Sequence, residues 1–377
     1  MDLVSVEACE QYDAERIAAI VEKQFCIFEE KGQLFRDNAV VLIKPNLLMG
    51  RKPEAFTTVH PALIGGIIRA VKKRNGRPVI AESPAGPFNR FMLKNIYAVT
   101  GMTAVAEKEG AELSFDTECV TVPAKGTGTE STFHLISAAV KADAVISASK
   151  LKTHSQMVYT GVVKNLFGTV PGLEKPELHS RFPEKERFAS MIVDLCETVH
   201  PVLSFLDGIT GMEGNGPSGG TPAELGLLFA GTNPYAVDAA ACRKIGLPPE
   251  KVPVLSEAAK RGLFHNQENG ITLTGSGAES AGKKFRLPDS SPVDFSESFP
   301  AFFRPFITAV FTPHPVIRRN ICIGCGKCAE SCPRHTIRIK NKKAEIERSG
   351  CIRCFCCQEV CPKKAVKIAG FLPQRNR

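Results

Sequence analysis

Cys322-Ile-Gly-Cys-Gly-Lys-Cys-Ala-Glu-Ser-Cys-Pro333 and Cys351-Ile-Arg-Cys-Phe-Cys-Cys-Gln-Glu-Val-Cys-Pro362 are two runs of identical internal spacing, 29 residues apart. The first supplies Cys322, Cys325, Cys328 and Cys332; the second supplies Cys351, Cys354, Cys357 and Cys361. A repeated framework of this kind is one of metal ligands. Three closely spaced thiolates wrap one iron–sulfur cubane, and the fourth, leading past proline, reaches the neighbouring cubane. The ligand sets therefore cross over. Cys322, Cys325 and Cys328 are expected with Cys361, and Cys351, Cys354 and Cys357 with Cys332, giving two [4Fe–4S] clusters. Zinc is the competing metal, since paired CxxC units also build tetrahedral sulfur sites, but eight cysteines exceed what such a knuckle needs. Cys356 is left over and reads as a small packed residue.

Working outward, nine of the fourteen cysteines lie between Cys322 and Cys361, which is a metal pattern rather than a disulfide lattice. Gly324, Gly326 and Ala329 let backbone amides approach the sulfurs, whereas Arg353 and Phe355 replace glycines in the second run, so the two clusters are expected to differ in potential. The formal charge of +9 is concentrated here: from Pro313 onward there are fifteen Lys/Arg against four Asp/Glu, and thirty-three against thirty-five before it. Such a basic module suits an acidic electron carrier of the ferredoxin or flavodoxin type, or a redox enzyme, as partner. Nucleic acid is not expected, because the basic residues are interleaved with cluster ligands and lack aromatic stacking positions.

The start, MDLVSVEACEQYDAE, has acidic residues where a secretory signal carries a basic region and an apolar run. Phe299 to Val316, the most apolar late segment, is interrupted by Arg304, His314 and prolines and is too short to span a bilayer. A cytoplasmic protein without a membrane span is expected.

Residues 1–275 alternate helical and strand-like patterns, which predicts an α/β domain with a mostly parallel open sheet and flanking helices. A 276–314 linker rich in Ser, Pro and Phe follows, and 315–377 form a small α+β ferredoxin-like domain. Ile17, Ile20, Val21, Phe25 and Phe28 recur at helical spacing between Asp13 and Glu30, with Gly32 as a stop. Strands are read at Ala39 to Ile43, Pro78 to Ala81, Asp143 to Ser149, Val202 to Leu206 and Leu225 to Ala230, and helix starts near Pro61, Pro183 and Pro234. Linker phenylalanines Phe299, Phe302, Phe303, Phe306 and Phe311 are read as glue between the two folded parts.

Each strand-like run ends in a polar cluster: Lys44-Pro45-Asn46, Glu82-Ser83-Pro84, Lys150 to His154, Asp207-Gly208 and Thr232-Asn233-Pro234. In open parallel sheets the ligand crevice lies at the carboxyl ends of the strands, so five segments converge if these strands are parallel neighbours. Lys152, His154 and Lys164 are the candidate catalytic residues, placing cations and a titratable imidazole together. Lys44, Asn46, His60, Glu82, Lys150, Asn165, Asp207 and Glu213 are candidates for substrate binding, and the cationic balance points to a carboxylate or phosphate. The bland alternatives are solvated loop lysines, His60 as a helix cap, asparagines bonding their own turns and surface ion pairs for Glu82 and Glu213. The glycine-rich stretch Gly211 to Pro222 matches no nucleotide fingerprint and reads as a lid or a connector.

Val41-Leu-Ile-Lys-Pro-Asn-Leu47, Leu151-Lys-Thr-His154 and Gly161-Val-Val-Lys-Asn-Leu-Phe-Gly168 resemble the domain of unknown function family 362, whose members often carry a C-terminal two-cluster ferredoxin. Val316 to Ala369 resembles such a ferredoxin. The order of strand-end motifs is also similar to that of the nickel-dependent lactate racemases, which use lysine and histidine around a small 2-hydroxy acid. The resemblance implies a redox protein with an unassigned substrate. The expected function is an iron–sulfur oxidoreductase passing low-potential electrons to a small anionic substrate in the α/β domain. The alternative is a non-catalytic electron-transfer or metallocofactor-assembly partner.

Overall fold

Asp13 starts the first helix as its side chain accepts from the backbone N–H of Arg16 at 2.7 Å, and the apolar stripe Ile17, Val21, Phe25 and Phe28 then faces the core. The computed structural model describes residues 1–30, 32–126, 129–290 and 313–369. The strands of the large domain are β1 (Asp2–Ala8), β2 (Val40–Pro45), β3 (Arg77–Ile80), β4 (Glu112–Leu113), β5 (Cys119–Pro123), β6 (Thr132–Ile136), β7 (Ala144–His154), β8 (Val158–Thr160), β9 (Leu203–Glu213), β10 (Thr221–Gly231) and β11 (Ile271–Thr274). Its helices are α1 (Ala14–Glu29), α2 (Pro61–Lys73), α3 (Arg90–Val99), α4 (Met102–Glu109), α5 (Ser137–Lys141), α6 (Val162–Asn165), α7 (Glu174–Arg181), α8 (Lys185–Val199), α9 (Pro234–Lys244) and α10 (Pro253–Lys260).

Nine strands form one sheet in the order β11-β1-β10-β9-β7-β2-β3-β4, with β8 paired to β7. The run from β9 through β7, β2 and β3 to β4 is parallel. β10 is antiparallel to both β9 and β1, while β1 and β11 are parallel. Period-two alternation divides the side chains between the faces: Leu227 and Phe229 enter a core with α8, α9 and α10, and Leu228 and Ala230 enter one with α1, α2, α3 and α4. The result is the expected mostly parallel α/β sheet with helices on both sides.

Two features change what reaches the ligand edge. β10 runs antiparallel, so Thr232-Asn233-Pro234 lies at the opposite edge from the ends of β2, β3, β7 and β9, and Asn233 caps α9 there. Strand β7 continues to His154 and β9 to Glu213, so the polar clusters expected after these strands belong to the strands themselves.

In the C-terminal part, β12 (His314–Ile317) pairs with β15 (Val366–Ala369), and β13 (Ile337–Lys340) with β14 (Lys343–Ile346). One-turn helices span Lys327–Glu330 and Cys356–Glu359. Ile337, Ala344, Ala365 and Val366 pack with the cysteines in a small core. Of the connector, residues 276–290 lie against the large domain: Phe285 is in its core, and the Asp289 N–H donates to Asn215 Oδ1 at 2.8 Å. The five linker phenylalanines fall outside the described residues.

Asp238 on α9 fixes the start of α6. Its carboxylate accepts from the backbone N–H groups of Val162 (2.8 Å) and Val163 (3.0 Å) and from the Tyr159 hydroxyl (3.0 Å). Gly161 is required beside it, because a Cβ there would strike both Asp238 and Tyr159. Asp238→Ala leaves three buried donors unpaired and is expected to cost about 3 kcal/mol in urea unfolding, with Asp238→Asn losing less because its amide oxygen still accepts. An unchanged unfolding midpoint for the alanine variant would contradict this role.

Candidate functional site

Alternation along β7 sends Lys150, Lys152 and His154 to one face while Leu151 enters the core. All three are buried, and each meets a different neighbourhood. Lys150 lies opposite Asp207 of β9 and donates to its Oδ2 at 2.6 Å, to the Tyr12 hydroxyl at 2.7 Å and to the Thr210 carbonyl at 3.2 Å. The His60 ring stacks on Tyr12 at 3.9 Å, the His60 backbone N–H donates to Asp207 at 3.1 Å, and the ring Nδ1 caps α2 by accepting from the Ala62 N–H. Burial pushes His60 down to about 4. Lys150, Asp207 and His60 thus form a network whose partners are internal, and none of them lines the cavity described next. Glu213 also stands apart, accepting from the Arg286 N–H at 2.9 Å.

A cavity of about 90 Å³ lies beside Lys152, His154 and Lys164. Asn46, Glu82 and Asn165 also line it, so of the sequence candidates these six come together. Behind it Lys44 forms a buried ion pair with Glu82 and donates to Asn165 Oδ1 at 3.0 Å, and Asn165 returns its amide to the Lys44 carbonyl at 3.0 Å. Gly168 passes so close to this pair that a Cβ would meet both charged groups. Burial drives both members toward neutrality, Lys44 downward and Glu82 upward.

Lys152 donates to Asn46 Oδ1 at 2.5 Å and to the Thr57 carbonyl at 2.6 Å, and burial, with the charges of Lys150 and Lys164, lowers it to about 7. Lys164 has no ion pair or hydrogen bond among the described residues; its ammonium lies 5.5 Å from the Phe167 ring centroid. His154 Nδ1 accepts from the backbone N–H groups of Gln156 (3.1 Å) and Met157 (3.3 Å), which assigns the neutral ring's proton to Nε2. Burial holds His154 at about 4, so it is a neutral donor near pH 7.

Residues outside the sequence candidates complete the cavity. Lys175 and His179, one turn apart on α7, both line it. Burial lowers Lys175 to about 7 and His179 to about 3. From the C-terminal part come Ser331, Cys356, Glu359 and Val360. Glu359 Oε1 lies 3.3 Å from His154 Nε2, and neither atom has a hydrogen-bond partner among the described residues. Burial would raise Glu359, but His154, Lys164 and His179 outweigh it and hold it at about 2.

The cysteines surround two further cavities. One is lined by Cys322, Cys325, Cys328 and Cys361, the other by Cys332, Cys351, Cys354 and Cys357. None of these thiols is in a disulfide. Backbone N–H groups of Ala344, Ala365 and Thr336 point to the sulfurs of Cys322, Cys361 and Cys332 at 3.4, 3.1 and 3.3 Å. Four soft thiol donors around each hollow, with amides directed at sulfur, fit iron–sulfur ligation.

Residues 41–243 match the family described as domain of unknown function (DUF362), and residues 314–362 match the 4Fe-4S dicluster domain. The chain belongs to the DUF362 family. Its C-terminal part binds [4Fe–4S] clusters and brings iron–sulfur electron transfer to this member. A thylakoid-associated protein of Synechocystis sp. is 31% identical over 265 residues, covering 69% of this chain and 79% of that one. The lactate racemase apoprotein from Thermoanaerobacterium thermosaccharolyticum aligns with 14% identity and a TM-score of 0.37 over 62% of this chain and 55% of the racemase chain, little more than half of that protein's length. Among the described residues of this DUF362 protein, no helix is long and apolar enough to cross a membrane.

The glycine-rich stretch 211–222, read as a lid or connector, seats the cluster-bearing helix of this DUF362 chain. Ser218 Oγ donates to the Glu359 carbonyl at 2.9 Å, and Gln358 Nε2 to the Asn215 carbonyl at 3.0 Å. Arg51 reaches the Pro362 carbonyl at 2.9 Å. A Cβ at Gly219 would lie 2.7 Å from the Asn215 carbonyl oxygen and 2.8 Å from Gln358 Nε2. Gly219→Val should therefore loosen the seat by about 1–3 kcal/mol, raising amide hydrogen exchange at residues 358–361 roughly tenfold while leaving iron content unchanged. Unaltered exchange there would mean the loop does not hold the helix.

Proposed function

We propose that this protein is an oxidoreductase in which two [4Fe–4S] clusters deliver low-potential electrons to a small anionic substrate in the cavity between the large domain and the cluster-bearing part. One observation carries the reading: strand-end cations and the helix bearing Cys357 line the same cavity. When bound, the clusters supply electrons one at a time. The protein's own side chains do the rest. Lys164, without an ion pair or hydrogen bond among the described residues, attracts the anion; Lys152 and Lys175, held near neutrality, share its charge and supply protons. His154 offers Nε2–H to a substrate oxygen. Asn46 and Asn165 orient the lysines, Lys44 and Glu82 build the wall, and the Lys150, Asp207 and His60 network fixes the strand ends. Glu213 anchors residues that follow the domain rather than touching the substrate.

The alternative, a non-catalytic electron-transfer or metallocofactor-assembly partner, needs an open docking surface at this edge. Enclosed cations with unpartnered polar atoms favour a bound substrate instead.

Binding of oxalate to the cluster-replete protein, followed by calorimetry, tests the anion site. Both lowered lysines must be protonated to hold an anion well. Affinity is therefore expected to fall as pH rises through about 7, where free-site Lys152 and Lys175 lose their protons. Lys152→Met with Lys164→Met should weaken binding at least about a hundredfold, from the loss of two charge-assisted contacts. Affinity that ignores both pH and these substitutions would remove the anion from the proposal. A demonstrated reduction rate that survives Lys152→Met with His154→Gln would remove the catalytic assignment.

A further inference from the structure

The internal repeat is broken where its two halves meet different surroundings. Ile323 aligns with Ile352, Gly324 with Arg353, Gly326 with Phe355 and Lys327 with Cys356. Cys356 is buried and lines the inter-domain cavity, whereas Lys327, at the equivalent turn of the other helix, is exposed. Ile323 is 56% exposed and Ile352 only partly so. Cys325 is the exposed ligand in its set, while its counterpart Cys354 is buried. The second cysteine loop thus packs toward the large domain, where Ser331 of the first run also lines the cavity, while Ile323, Cys325 and Lys327 of the first loop face water.

The face over the first loop also has the makings of an interface. Ile323 and the 41% exposed Ile339 stand at the rim of the cavity lined by Cys322, Cys325, Cys328 and Cys361. Lys327 and Lys363 line the same rim, and neither has an ion-pair partner among the described residues. Lys342 is exposed at the hairpin tip packed over Gly324. Glu330, on the helix with Lys327, brings a carboxylate oxygen within 3.8 Å of where a Cβ on Gly326 would lie, and Glu345 is paired with Arg319 at 2.7 Å. Exposed apolar centre, cationic rim and a thiol ligand at the surface occur together.

We infer that this face, formed by Ile323, Ile339, Lys327 and Lys363, docks a small acidic protein electron carrier, so that the cluster of Cys322, Cys325, Cys328 and Cys361 receives electrons and that of Cys332, Cys351, Cys354 and Cys357 delivers them. The inference rests on the proposed electron-transfer function and adds its partner and polarity. Each transfer oxidises the carrier by one electron and reduces the receiving cluster by one, with no proton or other reactant required. Charge complementarity chooses the carrier: a cationic rim around an apolar centre steers an acidic partner and shields the short contact from water.

The test uses the full, cluster-replete chain and an oxidised acidic [2Fe–2S] ferredoxin as the probe, with affinity as the readout. Lys327→Glu with Lys363→Glu should weaken binding at least about tenfold at low ionic strength, and the difference should shrink near 1 M salt. Arg334→Glu with Arg348→Glu, beside the other cysteine cavity, makes the same change in net charge and should alter affinity less than about twofold. Iron and sulfide content checks that both variants retain their clusters. Equal losses in the two variants, or no loss in either, would overturn the docking face. Phosphatidylglycerol vesicles that bind the wild-type chain and lose it only in the Lys327/Lys363 variant, with no ferredoxin binding, would assign the face to a membrane surface and overturn it as well. Oxalate binding in the cavity is measured on the same variants: its absence with ferredoxin docking intact would fail the substrate reading and leave the docking face standing.

Discussion

An ammonium group taken out of water has to be met by a carboxylate or by oxygen dipoles, because desolvation costs several kcal/mol per ion. The sheet edge of this protein is organised by that requirement. Lys44 and Lys150 sit near the ends of neighbouring parallel strands, each against one buried carboxylate, Glu82 and Asp207. These pairs fix the relative positions of β2, β3, β7 and β9 and consume two of the cations. Among the described residues, Lys152 bonds oxygen dipoles but no carboxylate, and Lys164 makes no hydrogen bond or ion pair. What remains on the cavity side is therefore a surplus of positive charge with room beside it.

The same surplus explains why the cluster-bearing part sits where it does. Glu359 brings a carboxylate toward Lys164 and Nε2 of His154, and these outweigh the burial that would otherwise protonate it. Backbone contacts from the glycine-rich stretch then set the distance of closest approach. The seat is made of side chains bonding carbonyls, Ser218 to Glu359 and Gln358 to Asn215, and the close approach at Gly219 is one a larger side chain would prevent. Electrostatics chooses the face, and sterics sets how close the cysteine loop comes to the cavity.

Much of this was legible in the sequence. The cysteine spacing marked both hollows, and the apolar runs found β2, β3, β7, β9 and β10 together with the starts of α2, α8 and α9 within a few residues. Strand β1 was missed because Asp2–Ala8 is short and mixed, and it is a strand only through pairing with β10 and β11, more than two hundred residues away. The antiparallel direction of β10 was hidden for a related reason: its hairpin loop is long and glycine-rich and does not look like a tight turn. Strands β7 and β9 were cut short because buried lysines and aspartates are rare enough that a run such as Lys150-Leu-Lys-Thr-His154 resembles a loop. Lys175 and His179 carried no signal, since Glu-Lys-Pro-Glu-Leu-His-Ser-Arg reads as a polar surface helix until its tertiary neighbours are known.

Asymmetry within the cysteine module follows from the divergence of a repeat. Ligand spacing is held by the geometry of the cubane, so the two runs keep all eight cysteines, but the residues between ligands answer to whatever each loop faces. Toward water, small glycines and a lysine suffice. Toward the large domain Cys356 fills space, Phe355 is buried against the second cysteine hollow, and Glu359 enters a cationic cavity where exposed Glu330, on the first helix, enters none. A module with equivalent halves would give electrons no preferred end. The same substitutions that pack one loop against the sheet therefore also make the two ends of the proposed wire inequivalent.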